Sequence, residues 1–277
     1  MLNKKMLEDI CGTDLFDTII RILTIDIFAT EGAYGRVFSR VQDMYEAVQS
    51  VAVVLIFIYF MIALVDKLSG ENFTFEQMFR QIILLLVAKF LIDHGLEIIQ
   101  LLYDFGTALL AEVAAPIPEG GGAMGAESAK ELLKEFEASL GLSGFMKVLK
   151  DVIVWLWLFI PWIFSWVLGI CVKIIMYSRM IEIYVRAIFA PIAFADFYQG
   201  GLQSAGFRYL RNFLAVAIQG ALILSIAAVY SGLFTTVVAS AGLAFHNFIG
   251  LYLAFLSAAV MLMFKSLSLA KEIVGTG

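Results

Sequence analysis

From Val152 to Phe197 the chain scarcely leaves apolar residues. About 20 such residues cross the ~30 Å of hydrocarbon in a bilayer, and this run is more than twice that long. In water it would have to be buried on every side. In lipid it needs only satisfied backbone groups, which a helix supplies from within. The remaining sequence agrees: of 277 residues, 61% are hydrophobic and 16% charged, against roughly 45–50% and ~25% in an ordinary soluble domain. Mean hydropathy is +0.91, and surface does not shrink fast enough with chain size for a soluble fold to hide that excess. The expected fold class is all-α: a polytopic helical membrane protein with about five transmembrane helices plus a half-buried elbow helix on the cytoplasmic side.

The expected organisation has five parts. Residues 1–47 form an N-terminal amphipathic segment, in which Phe16, Ile19, Ile20, Leu23 and Ile27 share a helical face, Asp14, Asp17 and Arg21 lie opposite, and Asp26 breaks the pattern. The acidic residues in this stretch also argue against a secretory signal. Residues 48–103 hold two spans, Val48–Val65 and Gln81–Tyr103, and residues 104–150 a Pro/Gly-rich extracytoplasmic loop. Within that loop Ser128 and Glu131 make a capping box ahead of a short amphipathic helix over Leu132, Leu133, Phe136 and Leu140. Residues 151–198 hold the third span, with a bend expected at Pro161 and tryptophans 155, 157 and 162 near its start, and then the elbow, Ile181–Tyr198. Residues 199–277 hold the last two spans, Phe213–Ala241 and Phe248–Phe264, and a cytoplasmic tail.

Lysine and arginine near span ends favour the cytoplasm. Arg208 and Arg211 precede the fourth span and Lys265 and Lys271 follow the fifth, whereas the loop between them, residues 239–247, has neither. This orientation puts the C-terminus in the cytoplasm and, counting back over five spans, the N-terminus outside. Lys4, Lys5, Arg21, Arg36 and Arg40 pull the other way. The net charge of -5 gives the chain no general affinity for nucleic acid or anionic lipid.

Three groups of residues stand out. Lys89, Asp93 and Glu97 recur at four-residue spacing with His94 beside them, on one face of the expected second span. Charges at bilayer depth cost about 2.5–3.5 kcal/mol each on insertion scales unless paired or wet. The group therefore reads either as the polar lining of a passage or proton-linked site, or as a closed Lys89–Asp93 pair with His94 and Glu97 already in the interface. In the elbow, Arg179, Glu182 and Arg186 share a face, with Pro191 and Asp196 following. They read as a docking surface for a partner or as a self-satisfied ion network, and the helix is expected to bend ahead of Pro191. Small residues at four-residue spacing, Ala217, Ala221 and Ser225 and then Gly250, Ala254 and Ala258, let helix backbones approach closely, within the protomer or between subunits. No catalytic, cofactor or metal site is expected. Gly120, Gly122 and Gly125 match the letters of a dinucleotide loop but follow Pro116-Ile117-Pro118-Glu119 rather than a strand. Cys11 and Cys171 have no metal-ligand spacing.

Two neighbouring stretches, SRMIEIYVRAIFAPIAFADFYQGG over Ser178–Gly201 and SAGFRYLRNFLAVAIQGAL over Ser204–Leu222, resemble the TrbL-like family. This is the polytopic membrane subunit of conjugation machines, equivalent to the sixth VirB protein of type IV secretion systems, in the form found on mobile elements of Gram-positive bacteria. The resemblance implies a non-enzymatic subunit of a DNA-transfer channel that is oligomeric. It would assemble with a bitopic scaffold protein, a VirB-four-type ATPase and a coupling-protein ATPase, contact membrane lipid and meet the transferred DNA transiently. Glu182, Arg186 and Pro191 carry over as residues with a structural role. The alternative is a secondary transporter or ion channel built on Lys89, Asp93 and Glu97. It lacks the inverted repeats with paired broken helices that such folds show.

Overall fold

The computed structural model describes residues 13–68, 75–116, 134–135, 138, 147–200, 203–241 and 245–276. The glycine cluster, most of the short helix expected after Ser128, and Cys11 lie outside them. The described elements are all helices: α1 Thr13–Leu23, α2 Gly32–Leu68, α3 Phe75–Asp93, α4 Gly95–Ala114, α5 Lys147–Ala195, α6 Phe197–Gly200, α7 Ala205–Ala241 and α8 Phe245–Val274. Among the described residues four segments are long and apolar enough to cross a membrane: Gly32–Lys67, Val152–Gln199, Ala205–Phe234 and Asn247–Val274.

Two features differ from the sequence expectation. The stretch Gln81–Tyr103 is not one continuous helix but the adjoining parts of α3 and α4, separated at His94, and neither helix is among the four apolar segments. Its charges explain this, since Glu76, Arg80, Lys89 and Asp93 fall in α3 and Glu97, Asp104 and Glu112 in α4. The elbow is likewise not a separate helix. It is the last part of α5, whose 49 residues run through both Pro161 and Pro191 to Ala195. A proline inside a helix leaves the carbonyl four residues before it without a donor and crowds it, which neighbouring helices can accommodate in a membrane protein. The 49 residues of α5 are well over twice the ~20 that cross the hydrocarbon of a bilayer. Helix α4 also continues to Ala114, taking in the first eleven residues of the stretch expected to be loop.

The chain forms two compact units, one of Met1–Ile25, Leu110–Tyr177 and Gly220–Ser266, the other of Asp26–Leu109, Ser178–Gln219 and Leu267–Gly277. The first is built on helical periodicity. Val154 and Leu158 of α5, Tyr230 and Phe234 of α7, and Phe248, Tyr252, Leu256 and Ala259 of α8 bring three apolar faces into one core. Phe234, fully buried, is its hub, with the rings of Phe248, Tyr252 and Phe255 at 5.8, 5.6 and 6.0 Å, all edge-on. Edge-to-face contacts at these spacings are favourable beyond the area they bury.

In the second unit α2 buries Phe38, Val41, Tyr45, Ala52 and Ile56, a stripe at three-, four- and seven-residue steps, while Val51, Val54, Phe57, Ile58 and Met61 face outward. A helix apolar on both faces is one packed on protein on one side and on lipid on the other. The connector ahead of α2 is tied down by Phe28, whose ring meets those of Phe38, Tyr103 and Tyr184 edge-on. Asp26 breaks the amphipathic pattern because the helix has already ended at Leu23; its carboxylate accepts the Phe28 N–H at 3.0 Å in the turn that follows. Ile19, Ile22 and Leu23 of α1 are buried within the chain itself.

Candidate functional site

The last part of α5 and the start of α7 carry the residues singled out in the elbow. Arg179 is 5% exposed, and its Nε and an Nη donate to the carbonyls of Val216 and Ala217, each at 3.1 Å. These carbonyls lie inside α7, where each keeps a second lone pair after the helical bond. Gly106 of α4 packs over the same point, since a Cβ there would come within 2.5 Å of the Ala217 oxygen. A glycine facing an alanine is what lets two helix backbones approach this closely. Arg179 therefore points into the unit and is withdrawn from the face it was expected to share with Glu182 and Arg186.

Glu182 pairs with Arg186 instead, its Oε1 accepting from Nε at 3.0 Å and from an Nη at 2.5 Å, with side chains 30% and 21% exposed. The Tyr209 hydroxyl of α7 donates to the Arg186 carbonyl, one turn before Pro191. Pro191 is buried and Ala190 beside it is fully enclosed. Asp196, just past the end of α5, accepts the Ala205 N–H at 2.7 Å, and the Ser204 hydroxyl accepts the Phe207 N–H at 3.2 Å. Two otherwise unpartnered donors at the start of α7 are thereby satisfied, and a carboxylate meets the positive end of the helix dipole. In outline these residues fix how α5 meets α7, and the Glu182–Arg186 pair is the part that also reaches the surface.

The second group lies at the junction of α3 and α4. Lys89 Nζ and Asp93 Oδ2 are 2.5 Å apart, and Gln49 Nε2 donates to the other oxygen of Asp93 at 3.3 Å. His94 Nδ1 is 3.1 Å from Glu97 Oε2, an ion pair when the imidazole is protonated. All four side chains are between 39% and 75% exposed. The helix break puts Lys89 and Asp93 on α3 and Glu97 on α4, so they line no common helix, and each closes a local pair. Among the described residues no cluster of His, Cys, Asp or Glu could hold a metal ion.

The small residues divide. Ala217 and Ala221 are buried, and the Ser225 hydroxyl donates to the Ala221 carbonyl at 2.8 Å within its own helix. Gly250, Ala254 and Ala258 are exposed, and a Cβ on Gly250 would meet nothing within 4 Å.

Several fixing residues carry no signal in the sequence. Tyr45 donates to the Ile92 carbonyl at 2.8 Å, in the last turn of α3 where carbonyls run out of helical donors. Gly95 lets this junction close, because a Cβ there would stand 2.5 Å from both the Phe194 ring and the Tyr45 hydroxyl. The Tyr184 hydroxyl donates to the Ile27 carbonyl. Arg211 donates to the carbonyls of Val274 and Gly275 at 2.6 and 2.8 Å. It thus clasps an α8 terminus already closed by Gly275 N–H to Glu272 and Thr276 N–H to Lys271. Only Arg211 left a trace, as one of the cations used to orient the fourth span.

Long apolar helices, four of them long enough to cross a bilayer among the described residues, define a multi-pass helical membrane protein. A family model described as TrbL/VirB6 plasmid conjugal transfer like protein matches residues 26–191, well over half of the chain, and the chain belongs to that family of conjugal-transfer membrane subunits. Neither a curated protein nor a solved structure matches.

Proposed function

We propose that this chain is a structural membrane-channel subunit of a conjugative type IV secretion system, assisting the passage of DNA or nucleoprotein across the cell membrane without catalysis of its own. The observation that carries the reading is the family match over residues 26–191. It assembles as an oligomer with a bitopic scaffold protein, a VirB-four-type ATPase and a coupling-protein ATPase, and meets the transferred strand only in transit. Its C-terminus lies in the cytoplasm and its N-terminus outside. The Glu182–Arg186 pair, which reaches the surface, is the docking point for a partner subunit. An in-frame deletion of the coding sequence is expected to abolish conjugal transfer, with full recovery on complementation. Purification of the native complex in mild detergent should bring down an ATPase with a Walker loop. Undiminished mating by the deletion strain would remove the reading.

A further inference from the structure

A cleft of about 540 Å³ opens within the second unit where α2, α3 and the α5–α6 turn converge. Three independent boundaries meet there. The apolar run of α2 ends at Asp66-Lys67, that of α3 begins after Arg80-Gln81, and the apolar segment of α5 and α6 ends at Gln199; all of these residues line the cleft. A point where three helices change from apolar to polar together lies at headgroup depth. The wall is set by the Tyr198 hydroxyl donating to Gln81 Oε1 at 2.7 Å and by Phe60 against the Tyr198 ring. Tyr198 itself is 3% exposed.

The lining has a specific chemistry. Lys67 and Arg80 supply two cations from different helices, Asp66 supplies one acceptor, and Ile62 and Leu84 form an apolar flank. A phosphodiester is matched by an ammonium and a guanidinium, hydroxyl donors by the carboxylate, and the first methylenes of an acyl chain by the flank. The attraction is local, because the chain as a whole carries a net charge of -5. We infer that the cleft between α2, α3 and α6 is a binding site for an anionic phospholipid headgroup with free hydroxyls, of the phosphatidylglycerol kind, seated on Lys67 and Arg80. The inference needs only a membrane location and does not depend on a role in DNA transfer.

The full chain in mild detergent, titrated with phosphatidylglycerol and followed by native mass spectrometry, tests this. Phosphatidylglycerol should bind at least about tenfold more tightly than phosphatidylcholine, at roughly fivefold in affinity for each of the two cations. Lys67→Gln with Arg80→Gln should lose that preference, whereas Arg36→Gln with Arg40→Gln, an equally exposed basic pair elsewhere on α2, should keep it. Hydrogen exchange on the wild-type protein should show lipid-dependent protection around residues 59–67 and 80–84, which decides the matter even where the double variant fails to fold. Equal affinity for the two lipids, unchanged binding by the Lys67 and Arg80 variant, or protection elsewhere overturns the site. Displacement of the lipid by inorganic phosphate at equal concentration would make it a small-anion site and overturns the lipid assignment.

Discussion

Arg179 illustrates how a buried cation can be held without a counter-charge. Its two partners are helical carbonyls that keep their own N–H donors, so removing the arginine orphans no group. A long apolar replacement should therefore be tolerated. Arg179→Met is expected to change stability by less than about 1 kcal/mol, while Arg179→Ala, which empties the space, should cost about 2–4 kcal/mol. Thermal unfolding in detergent distinguishes the two, and a large loss in the methionine variant would show that the charge itself matters. Tyr45 is the opposite case. Tyr45→Phe keeps the ring but strips the Ile92 carbonyl of its donor at a buried helix end, and should cost about 1–2 kcal/mol by the same measurement.

At the scale of elements, α5 is the instructive one. Hydropathy marked its apolar length, and the charges Lys173, Arg179, Glu182 and Arg186 then argued for a division that the structure does not have. Charge is read from sequence without its partners. Arg179 finds α7 carbonyls and Glu182 finds Arg186, so the helix continues where an isolated run would break. Pro191 likewise did not mark an end of the helix, which runs on past it to Ala195. Apolar runs, by contrast, were legible because their physics is additive along the chain, and all but the second expected span correspond to apolar helices. The close approaches at Gly95 and Gly106 could not be read, since a glycine's role there depends on which helix faces it. Two predictions belong here. Pro191→Ala should leave helix content unchanged by circular dichroism and should not destabilise the protein, as the backbone is already helical and alanine is the better helix former. Phe234→Ala, which removes the hub of four aromatic side chains, should cost about 3 kcal/mol or more in thermal unfolding.

At the scale of the whole molecule, assembly and sidedness each carry a direct test. Glu182→Ala with Arg186→Ala is expected to insert normally and yet to fail in mating assays, because the pair reaches the surface and the helix needs neither side chain to form. Wild-type transfer frequencies in that variant would end its assignment as a docking point. A cysteine placed at position 128 should react with an impermeant label on intact cells; reaction only after permeabilisation would reverse the orientation.

Outward-facing apolar side chains follow α2 from Val51 through Val54, Phe57, Ile58, Met61 and Ile62 to Val65. Measured along the helix this greasy seam is about 21 Å long, short enough for the acyl chains of one bilayer to wet from end to end. Stripped of lipid, the seam would stand bare in water. The subunit should therefore be a poor particle in plain buffer and monodisperse only inside a belt of amphiphile.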